Sequence, residues 1–357
     1  ESEKHEIGKL KLLAFSLIPA LVLFIGAEIF AGMAISRRFG VTTDSTTGRQ
    51  VYSMKIGRFP WSDRSVTPLN SRGFPDEEFS NVPRSACTHV VFAGDSFVFG
   101  DGVDRDQNFV ETVERWTRER RPDSCIRYFN IAERGTTIEQ QAARIQETMD
   151  LLHPDIVILG QYQNDLTDLA KPGFIAHQVS QRQRQEGEDE PEDAVRESLP
   201  VFRLSLVRLL SYHAFAFMIK SDIEYDVLEH WSVFEDPGQE DEARRLSTIY
   251  ETLYDSLVKK LRDRGIEFGV LILPSKFDLM AGRSPEGQYF TDLAERYDVP
   301  YRRLLPVLDS HRSPYPFLMY DGHLNEVGNR VVAEAVYSWL FKGEATPFSE
   351  LRSPGEP

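Results

Sequence analysis

A serine flanked by glycines follows a short apolar run. The run covers residues 88–93, and the segment after it reads GDSFVFG over residues 94–100. A serine at the carboxyl end of a buried strand is exposed at the rim of a sheet, which is the position that a nucleophilic serine needs. Gly, Asp and Ser are also common in ordinary turns, so this segment alone does not establish Ser96 as a nucleophile.

Three further segments place polar groups where a predicted strand ends or a predicted helix begins. NIAERG (130–135) ends in Gly135, whose backbone N–H is not covered by a side chain. QYQND (161–165) contains the amide of Asn164, and YDGHLN (320–325) opens the last predicted helix. In open α/β sheets, ligands bind beyond the carboxyl ends of the strands, so one pocket can gather these segments.

The side chains in these segments supply what acyl transfer needs. That reaction requires a nucleophile, a base, a group that orients the base, and hydrogen-bond donors for the oxyanion. Ser96, His323 and Asp321 can fill the first three roles. The N–H groups of Ser96 and Gly135 and the amide of Asn164 can be the donors. Considered separately, Ser96 can equally be a helix-capping residue and His323 an ordinary residue at the start of a helix, without a catalytic role.

Strands alternate with helices along most of the chain. The alternation indicates βαβ units, which form a parallel sheet with helices on both faces. The fold class is therefore α/β. The predicted strands are 88–93, 127–131, 155–160, 268–273 and 299–302. The predicted helices are 108–119, 138–152, 241–264, 286–297 and 325–341.

Taken together, the four segments resemble the SGNH hydrolase superfamily, also called GDSL-type esterases, over about residues 70–341. The resemblance implies a flavodoxin-like, doubly wound parallel sheet. It also implies a serine acyl-hydrolase or acyltransferase that uses no metal and no other cofactor. In such a site Ser96 is the nucleophile, Gly135 and Asn164 belong to the oxyanion hole, and His323 is the base.

The chain closely resembles membrane-anchored members of this superfamily. In those, Gly-Val follows the serine segment and Asn-x-x-Gly-Phe precedes it, as residues 102–103 and 70–74 do here. Two positions depart from the common pattern. Tyr320 stands where the acidic residue usually lies, three positions before the histidine, and Asp321 is the available substitute, as in alginate-acetylating relatives. Tyr162 stands where glycine usually precedes Asn164 by two positions.

An apolar run at residues 12–35 is long enough to cross a bilayer as a helix. We therefore predict a transmembrane anchor over residues 12–36; a cleaved signal peptide is the alternative, although its apolar core is usually shorter. Glu28 is the one charge in the run; we expect it to lie toward one end of the span with its carboxylate at the interface, and contact with a second membrane helix is the alternative. Basic residues flank the run on both sides, so their distribution does not decide its orientation.

The remaining sequence divides into a catalytic domain and its extensions. An insertion in that domain combines a charged stretch at 181–197 with an apolar stretch at 201–220. The apolar stretch predicts a helix that is buried or covers the site; a helix on the membrane or on a membrane partner is the alternative. The predicted divisions are an N-terminal tail (1–11), the anchor (12–36), a linker and N-terminal extension (37–86), the SGNH-type domain (87–345) with its insertion (171–237), and a C-terminal tail (346–357).

The composition excludes several classes of protein. The 357 residues include 41 Lys and Arg against 56 Asp and Glu, a net charge of −15, which argues against a nucleic-acid partner. Two cysteines are too few for a disulfide scaffold or a four-cysteine zinc site. Cys87 and Cys125 precede strands that are neighbours in the fold that the resemblance implies. They can form a disulfide outside the cytoplasm, or both can remain reduced.

These observations predict a single-pass membrane protein with an SGNH-type domain outside the cytoplasm, in the periplasm if the cell is Gram-negative. Its expected reaction is hydrolysis or transfer of an acyl ester near the membrane, on an acylated polysaccharide, a cell-wall glycan or a glycolipid. The expected partners are the lipid bilayer and a membrane protein that contacts Glu28 or residues 201–220. The alternative is an inactive SGNH-fold subunit that serves as an assembly module of a membrane complex.

Overall fold

Five parallel strands form the central sheet. The structure is a computed structural model. It describes residues 19–34, 41–43, 50–52, 69–79, 87–170, 210, 232–235, 238–311, 316–318, 322–341 and 347–351. Two short strands, β1 (Val41–Thr43) and β2 (Gln50–Tyr52), precede those of the sheet. The sheet strands are β3 (Thr88–Ala93), β4 (Ile126–Asn130), β5 (Ile156–Gln161), β6 (Glu267–Ile272) and β7 (Tyr301–Arg303).

The strand order across the sheet is β4-β3-β5-β6-β7, and every neighbouring pair is parallel. Counted from the first strand of the sheet, this is the order 2-1-3-4-5 of flavodoxin-like folds. The direction of winding reverses between β3 and β5, and the crevice beyond their carboxyl ends is where such sheets bind ligands. The predicted parallel α/β fold is confirmed.

Helices cover both faces of the sheet. Along β3, Val90 and Phe92 pack into one core, while Val91 and Ala93 pack into the other. A strand that is buried on both faces needs apolar residues at nearly every position, which is why β3 is a continuous apolar run. The longer helices are α3 (Phe109–Arg120), α4 (Ile138–Leu152), α6 (Glu240–Asp263), α8 (Pro285–Arg296) and α10 (Glu326–Phe341). The short helices are α2 (Ser96–Phe99), α5 (Asn164–Thr167), α7 (Lys276–Ala281) and α9 (Leu305–Ser310).

The segment before the sheet contains a strand pair and a turn. β1 and β2 pair in antiparallel fashion within residues 37–86, the predicted linker and N-terminal extension. Further along, Asn70 closes a turn, since its Oδ1 accepts hydrogen bonds from the N–H groups of Arg72 and Phe74, both at 3.0 Å. Asp76 then accepts a hydrogen bond from the backbone N–H of Asn130 at 2.7 Å. The Asn-x-x-Gly-Phe element therefore lies against the end of edge strand β4.

The C-terminal segment also extends the domain beyond the predicted boundary at residue 345. Phe348 is 1% exposed and packs against Trp339. Gly269 in β6 has no side chain, and a Cβ there would collide with the Phe348 ring. Ser349 donates two hydrogen bonds to Glu267, one from its N–H and one from its hydroxyl. Residues 347–351 are therefore packed on the sheet, although the sequence predicts a tail there.

A disulfide joins the amino ends of the first two strands of the sheet. Cys87 and Cys125 form this bond with their Cα atoms 4.6 Å apart. The backbone N–H of Thr88 donates to the carbonyl oxygen of Cys125 at 2.8 Å, directly beside the bond. The disulfide lies at the end of β3 opposite to the one that leads into Ser96.

Residues 19–34 form a helix, α1, whose large apolar side chains are exposed. Leu23 is 72% exposed and Phe30 is 67% exposed. Over the described part of the chain, no helix combines the length and the apolar character of a membrane span. The predicted anchor at 12–36 lies only partly among the described residues, and nearly all of 201–220 lies outside them.

Candidate active site

Ser96 is the first residue of α2, immediately beyond β3. Asp95 caps this helix by accepting a hydrogen bond from the N–H of Phe97 at 3.0 Å. Val98 fills the space above Gly94 and Gly160, and a Cβ at either glycine would collide with its side chain. These glycines let the chain turn sharply at the end of the strand, so Ser96 projects at the rim of the sheet.

The structure brings Ser96 and His323 together although 227 residues separate them in sequence. Ser96 Oγ lies 2.7 Å from His323 Nε2, within the range needed for direct proton transfer. Ser96 is 8% exposed, and the imidazole ring lies 5.0 Å from the ring of Phe97. A buried serine hydroxyl in contact with an imidazole nitrogen is the arrangement that activates a serine for attack.

Backbone pairing holds the segment that carries His323. Phe317 and Leu324 form an antiparallel bridge, and Leu318 donates its N–H to the carbonyl oxygen of His323 at 2.9 Å. Asn325 then caps α10, because its Oδ1 accepts from two N–H groups of the first turn at 2.9 Å. Lys276, 4% exposed, donates from Nζ to the carbonyl oxygen of Leu318 at 2.8 Å. His323, the candidate base, therefore lies on a segment held by these hydrogen bonds.

The loop that contains Gly135 is attached to the nucleophile turn. Glu133 donates its N–H to the carbonyl oxygen of Gly94 at 3.1 Å. Arg134 pairs with Asp101, and its guanidinium lies 4.1 Å from the centre of the Phe99 ring. Gly135 has a φ of +62°, a backbone conformation that residues with a Cβ rarely adopt. The loop is thus fixed beside the turn that presents Ser96.

Asn164 begins α5, directly after β5. The turn before it is held by Asp165, which accepts hydrogen bonds from the N–H of Tyr162 at 2.8 Å and from Nε2 of Gln141 at 2.6 Å. Because β5 neighbours β3, this turn lies at the same edge of the sheet as Ser96. The sequence places Asn164 in this turn, and the structure shows that the buried Asp165 holds it.

Two fully buried carboxyl groups lie beneath the site. Burial raises the pKa of Asp95, while the N–H of Phe97 and the imidazole of His323 act in the opposite direction. Burial raises the pKa of Asp165 as well, and the neighbouring Asp95 carboxyl raises it further.

The sequence does not predict the contacts of two residues at the site, Tyr162 and Lys276. Tyr162 stacks on Phe97 with ring centres 4.0 Å apart, and the Phe97 ring also lies 5.0 Å from the imidazole ring of His323. The only signal of Tyr162 in the sequence is that it replaces the usual glycine. Lys276 was not predicted at all; its signal is its position just beyond the carboxyl end of β6. Asp321, the predicted orienting acid, and Tyr320 lie outside the described residues.

No group of His, Cys, Asp and Glu side chains suited to a metal ion occurs within the described ranges. The candidate groups for acyl transfer come from four separate places in the chain. They are the ends of β3 and β5, the loop after β4 and the segment before α10.

The GDSL-like lipase/acylhydrolase family matches residues 90–336 of this chain. Among solved structures, the chain is similar to a psychrotrophic esterase from Pseudoalteromonas sp., at 12% identity, covering 70% of this chain and 95% of that one, with a TM-score of 0.40. It is also similar to an acetyl xylan esterase from Geobacillus stearothermophilus, at 13% identity, covering 75% and 99%, with a TM-score of 0.42. No match exists among curated proteins.

The family match covers more than half of the chain. It includes the four described residues that the sequence predicts as site residues: Ser96, Gly135, Asn164 and His323. The chain therefore belongs to the GDSL-like lipase/acylhydrolase family, and its α/β domain is a hydrolase domain of the GDSL type.

Proposed function

We propose that this protein cleaves or transfers an acyl ester with Ser96 as its nucleophile and His323 as its base. The observation that carries the proposal is the 2.7 Å contact between Ser96 Oγ and His323 Nε2. The turns that hold Gly135 and Asn164 lie at the same edge of the sheet and supply donors for the oxyanion. Asp321 is our candidate for the group that orients the imidazole.

The reaction proceeds in two half-reactions. His323 Nε2 takes the proton of Ser96 Oγ as the oxygen attacks the ester carbonyl, and the resulting oxyanion meets the N–H groups of Ser96 and Gly135 and the amide of Asn164. The intermediate collapses when the imidazolium gives its proton to the leaving alcohol. Water or an acceptor hydroxyl then attacks the acyl-serine while His323 takes its proton. The second intermediate collapses when the imidazolium returns that proton to Ser96 Oγ, which breaks the bond between Oγ and the acyl carbon and releases the acyl product.

Asp95 contributes to the charge balance of this cycle. The imidazole becomes positive in each half-reaction, and a negative charge nearby lowers the free energy of that state. Asp95 is fully buried next to Ser96, so its attraction to His323 is weakly screened by water. We therefore assign Asp95 two roles, as the cap of α2 and as a stabiliser of the imidazolium.

We place the domain outside the cytoplasm, beside a membrane. The disulfide between Cys87 and Cys125 supports a compartment in which disulfides persist. The apolar residues 12–35, with exposed side chains in α1, support an anchor. An anchored esterase meets substrates near the bilayer, so we propose acylated polysaccharide, cell-wall glycan or glycolipid as the substrate class. A membrane protein that contacts α1 at Glu28 or residues 201–220 is the proposed partner.

The test is covalent labelling of the purified full chain with a fluorophosphonate, which reacts with activated serines. Wild type should label, and both Ser96→Ala and His323→Ala should lose labelling. The matched control is Ser310→Ala, because Ser310 Oγ also lies near an imidazole nitrogen, 2.9 Å from His311 Nδ1, but at an exposed site. This control should label as wild type does.

Absence of labelling in wild type, in parallel with a serine esterase that does label, would contradict the enzymatic proposal. The same result would favour the inactive assembly subunit, for which Tyr320 at the usual position of the acidic residue is the supporting feature. Labelling that survives Ser96→Ala would instead place the reactive serine elsewhere.

A further inference from the structure

Tyr162 contributes an aromatic ring to the site. Its ring stacks on Phe97 with centres 4.0 Å apart and an angle of 29° between planes. Phe97 is 4% exposed, and its ring lies 5.0 Å from that of His323. Tyr162 is partly exposed, so of the two stacked rings it is the one that a substrate can reach.

Tyr162 also spans the distance between two parts of the catalytic machinery. At its backbone, the N–H is fixed by Asp165, one residue beyond Asn164. At its other end, the hydroxyl oxygen lies 3.8 Å from the position that a Cβ would take on Gly322, the residue before His323. The ring therefore extends from the proposed oxyanion hole to the segment that carries the base.

Because the Tyr162 ring lies near His323, its position determines which part of an ester it can contact. The imidazolium must give its proton to the leaving oxygen, so the alcohol portion of the ester lies against His323 during collapse. The oxyanion donors hold the carbonyl oxygen elsewhere in the site. A ring that reaches Gly322 and stacks on the neighbour of the imidazole therefore borders the alcohol portion rather than the acyl chain.

We propose that Tyr162 is a specificity-determining residue that contacts the alcohol portion of the ester, and that it favours ring-shaped alcohols such as a pyranose. This inference rests on the proposed function and narrows its substrate class. An aromatic side chain offers a large, rigid apolar surface at little cost in conformational entropy. The C–H face of a sugar ring matches such a surface, whereas a short linear alcohol covers little of it.

The test compares two acetate esters that differ only in the alcohol: methyl 6-O-acetylglucopyranoside and ethyl acetate. In wild type, kcat/KM should be higher for the acetylated pyranoside. In Tyr162→Leu, the ratio of the two kcat/KM values should fall about five- to tenfold, the size of effect that one aromatic contact supplies. Tyr162→Phe keeps the ring and should keep the ratio, whereas a ratio that falls to the same extent would contradict the role of the ring.

Tyr289→Leu is the matched control. Tyr289 is also a partly exposed tyrosine packed against a phenylalanine, Phe290, with ring centres 5.5 Å apart, but it lies on α8. Its substitution should leave the ratio unchanged. Ethyl acetate and ethyl butyrate serve as a second pair, because they differ only in the acyl chain. Their ratio should move less in Tyr162→Leu than the ratio for the alcohol pair.

Besides an equal fall in Tyr162→Phe, three results would overturn this inference: a wild-type preference for ethyl acetate, an unchanged alcohol ratio in Tyr162→Leu, or a larger change in the acyl ratio. The wild-type comparison does not depend on whether a variant folds, and Tyr162→Met provides a second variant without a ring. Fluorophosphonate labelling distinguishes failure of this inference from failure of the proposed function. A wild type that labels but shows one of these results retains the proposed function and loses only the role of Tyr162.

Discussion

Lys276 Nζ donates a hydrogen bond to the main-chain oxygen of Leu318, 2.8 Å away, from a side chain that is 4% exposed. Leu318 in turn donates its N–H to the carbonyl oxygen of His323. A lysine in the first turn of α7 thus supports the segment that carries His323. Burial of an ammonium group is costly unless it is hydrogen-bonded, and here its hydrogen bonding braces the active site.

We expect Lys276→Met to lower both the stability of the domain and the rate of Ser96 labelling. A buried carbonyl that loses its partner costs about 1–3 kcal/mol. A less firmly held His323 should slow fluorophosphonate labelling about tenfold at 25 °C, below the melting temperature. Lys259→Met, at an exposed lysine that pairs with Asp255, is the control and should change neither quantity measurably. A full labelling rate in Lys276→Met would contradict a positioning role.

Gly94→Ala should destabilise the nucleophile turn through its collision with Val98. Overpacking of a well-filled site typically costs about 1–3 kcal/mol. The double variant with Val98→Ala removes the colliding methyl groups, so its loss should be smaller than the sum of the two single losses. Urea denaturation of the four proteins measures this coupling. Additive losses would show that Val98 is not what excludes a side chain at position 94.

Stability should depend on pH through Glu111. Burial, together with the carboxylates of Asp76 and Glu114, raises the pKa of Glu111 to about 7. The folded state therefore holds this proton more tightly than the unfolded state does. The resulting penalty is absent below the ordinary pKa of glutamate and complete above pH 7, so stability falls as the pH rises through that interval.

Glu111→Gln should remove this part of the pH dependence. The variant should melt at a higher temperature than wild type at pH 8, and the difference should disappear near pH 4.5. The weak pairing with Arg105, 3.8 Å away, offsets only a small part of the gain. Glu139→Gln, at an exposed site in the first turn of α4, is the control and should follow the wild-type profile. Parallel profiles for Glu111→Gln and wild type would contradict the prediction.

Reduction of the disulfide should lower the melting temperature without changing the chemistry at Ser96. The bond closes a loop with a sequence separation of 38, for which the chain-entropy estimate is about 4 kcal/mol. Cys87 and Cys125 lie at the opposite end of the sheet from the site. The labelling rate of the Cys87→Ser, Cys125→Ser double variant should therefore match wild type well below its melting temperature. A slower rate there would show that the disulfide also positions the site.

The sequence predicts the central elements well where a local pattern determines them. β3 and α4 have their predicted bounds, since β3 is a continuous apolar run and α4 has a capping box at Thr137 and ends before Pro154. The remaining strands and long helices begin and end within about two residues of the predictions. α7 and α9 were missed, because six residues are too few to show helical periodicity.

What the sequence could not predict depends on contacts between distant residues. Nothing near Phe348 indicates that it packs above Gly269, and nothing near Asp76 indicates a bond to Asn130. The position of Ser96 and His323 in the site could be predicted because each stands at a recognisable boundary of an element. Their 2.7 Å separation depends on the packing of the whole sheet.

The long separation between Ser96 and His323 has a consequence for biosynthesis. The ribosome makes the nucleophile first, and more than two hundred residues must follow before the base exists. α10, the helix that the base segment enters, then has to pack against α3 at the other end of the domain sequence. A chain that stops or is cut before residue 323 contains a serine turn but no base. Under the mechanism proposed above, nascent and truncated chains that lack His323 are therefore inert, and reactivity at Ser96 begins only when synthesis of the domain is nearly complete.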